Sequence, residues 1–251
     1  MTTATTVLHL RERTPEQIEA ALATIFTREG RAQALRLQGT YSAVLGRLAD
    51  PALEAPYRYL ILPTPPDSPW TPLLELGERA DGLDRALSDT LDGCAVFALF
   101  VYGEIVSGYR FVRAGVEEDR YLSDPDEFAA MESTESAEDD ATPPPADDLA
   151  TQRGDPTRFA DLLPPDAPPE EFARVVLRPG WWEGHESKRE DEREDGGAPD
   201  VAEDDLVDET DRMRCIGLAL ELWGATEYPF ASELEDLPNK RSSPAVALAF
   251  A

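Results

Sequence analysis

The chain has 251 residues, 41% hydrophobic and 29% charged, with a net charge of −28 and a pI near 4.2. That length can bury a core without disulfides or bound metal. The charge argues against a binder of nucleic-acid phosphates, which needs Lys or Arg at each contact, and against a ligand of anionic membrane surfaces.

In chain order, Val7 to Leu10 reads as a short strand. Thr14-Pro15-Glu16-Gln17 is a helix start, with an N-cap Thr, Pro at the first helical position and Gln at the capping-box position. Ile18, Ala21, Leu22, Ile25 and Phe26 then recur at helical spacing up to Gly30. Ala34 to Gly39 fits a strand, followed by a short helix through Val44, Leu45 and Leu48, although residues 31–56 give no decisive pattern. Tyr57 to Leu62 and Trp70 to Leu76 read as strands on either side of a proline-dense loop. Asp81-Gly82 opens a helix that carries Leu83, Ala86, Leu87 and Leu91 and stops at Gly93.

Asp92 to Asp124 is the centre of this pattern. Cys94 to Tyr102 is an apolar run, Gly103-Glu104 supplies a tight turn, Ile105 to Val112 is a second strand, and Glu118 to Ser123 is a short polar strand at the edge. Strands joined by tight turns with few helices between them predict an α+β fold, a mainly antiparallel sheet with helices packed on one face.

Beyond Phe128 the composition shifts. Residues 131–150 and 183–208 are acidic, low-complexity tracts and are expected to be disordered insertions. Between them, Asp155-Pro156 caps a segment bearing Phe159, Leu162 and Leu163, Pro169-Glu170 starts another helix, and Trp181-Trp182 follows a Pro-Gly break. Met213, Ile216, Leu220 and Trp223 form one stripe of a later helix, and residues 239–251 read as a loose tail. The whole chain, 1–251, is expected to be one domain, since the helices after Gly154 are too short to bury a core of their own.

Catalytic constellations are sparse. His9 and His185 are the only histidines, and His9 is expected at an exposed or edge position of its strand. Cys94 and Cys215 sit in apolar runs as buried thiols, with no CxxC pair or disulfide framework. Phosphate-cradling, zinc-protease and nucleophile-elbow motifs are absent from the sequence. Asp191-Glu192-Arg193-Glu194-Asp195-Gly196 has the look of half a calcium loop, but nothing after it supplies the remaining ligands. No cofactor and no metal site are expected. The N-terminus shows no signal-peptide pattern and no apolar run is long enough for a membrane span, so a cytoplasmic location is the expectation.

The order of features from Trp70 onward resembles a group of uncharacterised bacterial acidic α+β proteins. The residues that carry the resemblance are Trp70, Leu87-Ser88-Asp89-Thr90-Leu91, the strands from Cys94 to Val112, Gly115, Asp119-Arg120-Tyr121-Leu122-Ser123-Asp124-Pro125, Phe128, Gly154-Asp155 and Leu222-Trp223-Gly224. The last element departs from the pattern, with Trp223 between Leu222 and Gly224. The resemblance spans roughly residues 55–237; it brings no activity, but implies that the later helices belong to the same unit as the sheet.

Three functional readings follow. The first is a non-catalytic cytoplasmic module that binds a basic partner protein, with an immunity protein against a basic toxin as the analogy of charge. Its contact residues would be Tyr109, Phe111, Asp119, Tyr121, Trp181 and Trp182, because exposed aromatics anchor protein interfaces. The second is a carboxylate enzyme, with or without Mg²⁺, in which Asp119 and Asp124 converge with a carboxylate from elsewhere in the chain. The third is a mimic of nucleic acid, which would need carboxylates spaced like phosphates on rigid elements.

Overall fold

Thr14 sets the start of the first helix as its sequence requires. Its side-chain oxygen accepts from the Gln17 N–H at 3.3 Å, and Gln17 Oε1 accepts from the Thr14 N–H at 2.9 Å. The reciprocal pair satisfies two of the donors a helix end leaves open. Helix α1 then runs Pro15–Arg28, and Ile18, Ala21, Leu22, Ile25 and Phe26 are its buried stripe. The computed structural model describes residues 4–64, 68–78, 80–102, 106–124, 152–163, 169–173 and 245–251.

Eight described strands form one sheet: β1 (Ala4–Arg11), β2 (Gln33–Gly39), β3 (Tyr57–Ile61), β4 (Trp70–Glu75), β5 (Val96–Tyr102), β6 (Val106–Arg113), β7 (Val116–Leu122) and β8 (Ala245–Phe250). Their order is β2-β8-β3-β4-β1-β5-β6-β7. Every neighbouring pair is antiparallel, so the fold is α+β on a mainly antiparallel sheet. Helix α2 (Tyr41–Leu48) follows β2, α3 (Leu83–Thr90) precedes β5, a 3₁₀ segment covers Pro156–Leu162, and α4 is the short Pro169–Phe172.

Alternation along the strands divides the core in two. Leu8, Leu10, Val96, Ala98, Val112, Tyr59, Ile61 and Leu73 join α1 and α3 in one cluster. Val7, Leu60, Leu62 and Leu74 point the other way and join Tyr41, Val44 and Leu48 of α2. One face thus carries α1 and α3 and the opposite face carries α2, so helices cover both faces where the pattern predicts one. Arg58, at the rim of that second face, ties α2 to the sheet. Its guanidinium donates to the carbonyls of Leu48 at 2.7 Å, Leu53 at 2.8 Å and Ala55 at 2.9 Å. Residues 31–56, undecided in sequence, are therefore strand, helix and an arginine-bound loop.

Two expectations are corrected. Residues 239–251 do not read through as a loose tail, because Ala245–Phe250 is a central strand with no residue more than 4% exposed. The segment alternates small and large. Ala245, Ala247 and Ala249 face α2, where their size lets the helix approach, and Val246, Leu248 and Phe250 face α1. The Phe250 ring stacks on Phe26 at 4.4 Å between centroids. With both faces buried, no polar alternation marks the strand in sequence, and its two partners lie about two hundred residues upstream. His9 is likewise not at an edge. It is fully buried in β1, opposite Pro72 of β4 and Phe97 of β5. The physical reason is that β1 runs down the middle of a sheet covered on both sides.

Among the described residues no helix is long and apolar enough to cross a membrane. The expected insertions at 131–150 and 183–208, the helix stripe of Met213 to Trp223, His185 and Cys215 lie outside the described residues.

Ending the chain at Pro244 removes β8 and separates β2 from β3. Val246, Leu248 and Phe250 each contribute about 1.5–3 kcal/mol of burial, and a whole domain retains only about 5–15 kcal/mol of net stability. The shortened chain is expected to show no cooperative thermal transition by circular dichroism, whereas the full chain shows one.

Candidate functional site

Of the residues that the sequence nominated for contact, Tyr109, Phe111, Asp119 and Tyr121 lie on β6 and β7, on the same face as α2 but at the opposite end of the sheet. Register places Tyr109 opposite Tyr121 and Phe111 opposite Asp119, so all four share one face. That face is expected from the alternation; its exposure is not what the contact reading requires. Tyr109, Phe111 and Tyr121 are each 0% exposed. They are core residues, and their assignment as exposed interface anchors is corrected. Trp181 and Trp182 lie outside the described residues.

What covers the three rings is the 3₁₀ segment. Asp155 caps it, accepting from the Thr157 N–H at 3.1 Å, and Pro156 occupies the first position. One turn on, Phe159 is driven into the sheet. Its ring meets Phe97 at 5.0 Å, Phe111 at 5.4 Å and Tyr109 at 5.8 Å, mostly edge to face. Trp70 completes the cluster against Phe97 at 5.6 Å. Such pairs add to burial because the ring edge is positive and the ring face negative.

Asp119 fastens this cover. The carboxylate accepts from Tyr109 Oη at 2.8 Å and from the Asp155 N–H, at 2.9 Å to each oxygen. Leu122 N–H donates to the Gln152 carbonyl at 2.9 Å, and Tyr121 pairs with Arg153 in a one-residue antiparallel bridge. Arg113 adds an ion pair to Asp161 at 3.0 Å. Asp119 to Leu122 and Gly154-Asp155, noted separately in sequence, therefore meet in space. Burial holds the Asp119 carboxyl above the usual carboxylate range, outweighing its hydrogen bonds from Asp155, Tyr109 and Arg120. Burial also raises the Tyr109 hydroxyl well above its ordinary value, with the Asp119 charge acting in the same direction.

The other face of the same strands carries compensated charge. Burial pushes Glu117 up, but bonds and charges from Arg120 and Arg85 overcome it and hold the carboxyl below its usual value. Arg120 reaches it at 2.8 and 2.9 Å and Arg85 at 2.8 Å. Arg110 meets the buried carboxylate of Asp84 at 3.0 Å. Gly108 of β6 is a glycine because a side chain there would collide with the Tyr121 carbonyl and the Phe100 ring.

The acids of this stretch are engaged within the fold. Both Asp119 oxygens are committed to holding the cover, and Glu118 lies 3.9 Å from Arg113. Among the described residues no group of three His, Cys, Asp or Glu side chains is placed to hold a metal ion, so Glu118, Asp119 and Asp124 do not form one. Cys94 is a free, buried thiol that burial pushes up to about 11, against the pull of Arg13, which leaves it protonated at neutral pH. Large apolar side chains exposed among the described residues are Leu76 and Val116, too few and too scattered for a contact patch. Sequence reasoning missed the pairing of Asp119 with Asp155. The Asp-Pro cap and Phe159 were visible signals of a helical turn, but nothing local says which strand receives it.

Comparison with protein-family models, with curated proteins and with solved structures finds no match.

Asp119→Ala leaves the Asp155 N–H and Tyr109 hydroxyl without their acceptor, a loss of about 1–3 kcal/mol. Urea unfolding is expected to show it, together with faster proteolysis at residues 152–163. The pH dependence has two opposing parts. Glu117, lowered in the fold, stabilises it above the ordinary carboxylate range, and that contribution is lost as pH falls through the folded value. Asp119, raised in the fold, has the reverse sign: its contribution is full at acid pH and fades as pH rises through the folded value. Glu117→Gln is therefore expected to flatten the acid limb of a stability–pH curve, and Asp119→Asn to steepen it.

Proposed function

We propose that this chain is a non-catalytic cytoplasmic binding module that holds a basic partner protein through its acidic segments. The observation that carries the reading is the partition of charge. The described residues contain 20 Asp and Glu against 13 Arg, so they account for −7 of the chain's −28. The remaining −21 belongs to the residues between and around them, chiefly 125–150 and 174–244. The fold neutralises most of its own acids with arginine, as at Glu117, Asp84 and Asp161, and its aromatics are spent on the core. Long-range attraction would then come from the acidic tracts, and Trp181-Trp182 beside one of them would supply contact energy in place of the buried rings. An immunity-like role against a basic toxin fits this division, with a rigid scaffold and a charged recognition segment.

The test is co-purification with the intact chain and with a variant whose Asp and Glu at 183–208 are changed to Asn and Gln. A basic protein is expected to be retained by the native chain at low salt, released at high salt, and not retained by the amide variant. Retention by both chains alike, or by neither, overturns the reading. Trp181→Ala with Trp182→Ala is expected to speed dissociation while leaving the salt dependence of association unchanged.

A further inference from the structure

The two outer strands of the sheet are finished differently. On β7 the outer edge receives Gln152 and Arg153, a bulge interrupts the ladder at Phe111 and Val112, and Glu117, Glu118, Asp119 and Arg120 crowd the strand with charge. These are the ordinary devices that stop one sheet from adding to another. Strand β2 has almost none of them. Its sequence, Gln33–Gly39, contains no Pro, Lys or acid, and its bulge lies at its start, between Gln33 and Leu35. The single charge, Arg36, stays half-exposed on the α1 face, where it pairs with Glu19 of α1. Among the described residues β2 has one neighbour, β8.

The backbone phase of β2 follows from the ladder. Ala32 and Ala251 exchange both hydrogen bonds, at 3.2 and 3.0 Å. Bonded and non-bonded pairs alternate in an antiparallel ladder, so Leu35, Leu37 and Gly39 bond to Ala249, Ala247 and Ala245. The far side of the sheet agrees, because the same alternation turns Arg58 toward β4, where its carbonyl accepts from the Leu76 N–H at 2.8 Å. The N–H and C=O groups of Arg36 and Gln38 therefore point outward.

We propose that β2 is the contact between two copies of this chain, which pair antiparallel about a two-fold axis at Leu37 to make one continuous sheet. In that register Arg36 of each copy bonds through its backbone to Gln38 of the other, giving four hydrogen bonds. On the α1 face Arg36 stands opposite Gln38, never opposite a second Arg36. On the α2 face Leu37 meets Leu37 and Leu35 meets Gly39, which completes the burial of two half-exposed leucines that already lean on the α2 cluster. Registers shifted to centre on Arg36 or Gln38 oppose like charges or leave the leucines unpaired. Seven residues per copy make a smaller contact than a standard stable interface, so the dimer is concentration-dependent. Each copy carries −28, and salt screens that repulsion, so the dimer tightens as salt rises. The salt response is opposite in sign to that of the basic-partner reading, and the two stand or fall separately.

Sedimentation equilibrium of the full chain tests this. The mass is expected to rise with protein concentration and with salt from one to two times 27.6 kDa. Gln38→Pro deletes an outward N–H that the fold does not use, and is expected to abolish the rise while circular dichroism stays unchanged. As a second readout, Leu37→Cys in a Cys215→Ser background is expected to form an inter-chain disulfide on mild oxidation, because non-bonded antiparallel pairs bring the two sulfurs within reach, whereas Gln38→Cys is not. A mass of one chain under all conditions, a dimer that survives Gln38→Pro, or cross-linking at both cysteine positions alike overturns the proposal.

Discussion

The structure depends on filling one lane of the sheet. Strands β2 and β3 do not touch; between them lies β8, whose six side chains are apolar and alternate in size. Its alanines admit α2 on one face, and its larger residues meet α1 on the other, where Phe250 lies on Phe26. Without it the first half of the sheet has no continuous backbone ladder, and both clusters lose a wall. The requirement is steric as much as hydrophobic, since a larger residue at Ala247 would push against α2, and a smaller one at Leu248 would leave a cavity beside α1.

The opposite end of the sheet is organised by a polar device. Asp119 is held in a place where burial opposes its charge, and it is kept there by donors from a segment distant in sequence. That arrangement covers an aromatic surface which would otherwise be an exposed patch. The fold thereby consumes what a binding surface would use, and the arginines consume most of its acids. The charge that the fold does not neutralise belongs mostly to other parts of the chain.

Much of this was legible in the sequence wherever the signal is local. The capping box at Thr14, the stripe of α1, the apolar run of β5, the hairpin partner β6 and the polar edge strand β7 all have patterns that span a few residues and fit one structure. Ala114-Gly115 forms the turn between β6 and β7, with φ of 51° and 72° at the two positions. Long-range facts were not legible. Strand β8 looks like a tail because a strand buried on both faces has no alternating polarity. Tyr109 and Tyr121 look like interface anchors because the segment that meets them, with Phe159 against Tyr109 and Arg153 against Tyr121, is reached only across an acidic stretch. His9 carries a polar side chain in a short strand, which says edge unless one knows that β4 and β5 flank it.

All thirteen basic side chains in the described residues are arginines, and several bind two or three groups at once, as Arg58 binds three carbonyls. The chain's two lysines, Lys188 and Lys240, both lie elsewhere. Guanidinium groups do not react with the reagents and enzymes that modify amines. Acetylation, amine-directed labels and lysine cross-linkers would thus leave every ion pair described above intact and act at Lys188, at Lys240 and at the terminal amine. The chain carries, in effect, a chemical handle on its charged segments that is separate from the chemistry of its fold.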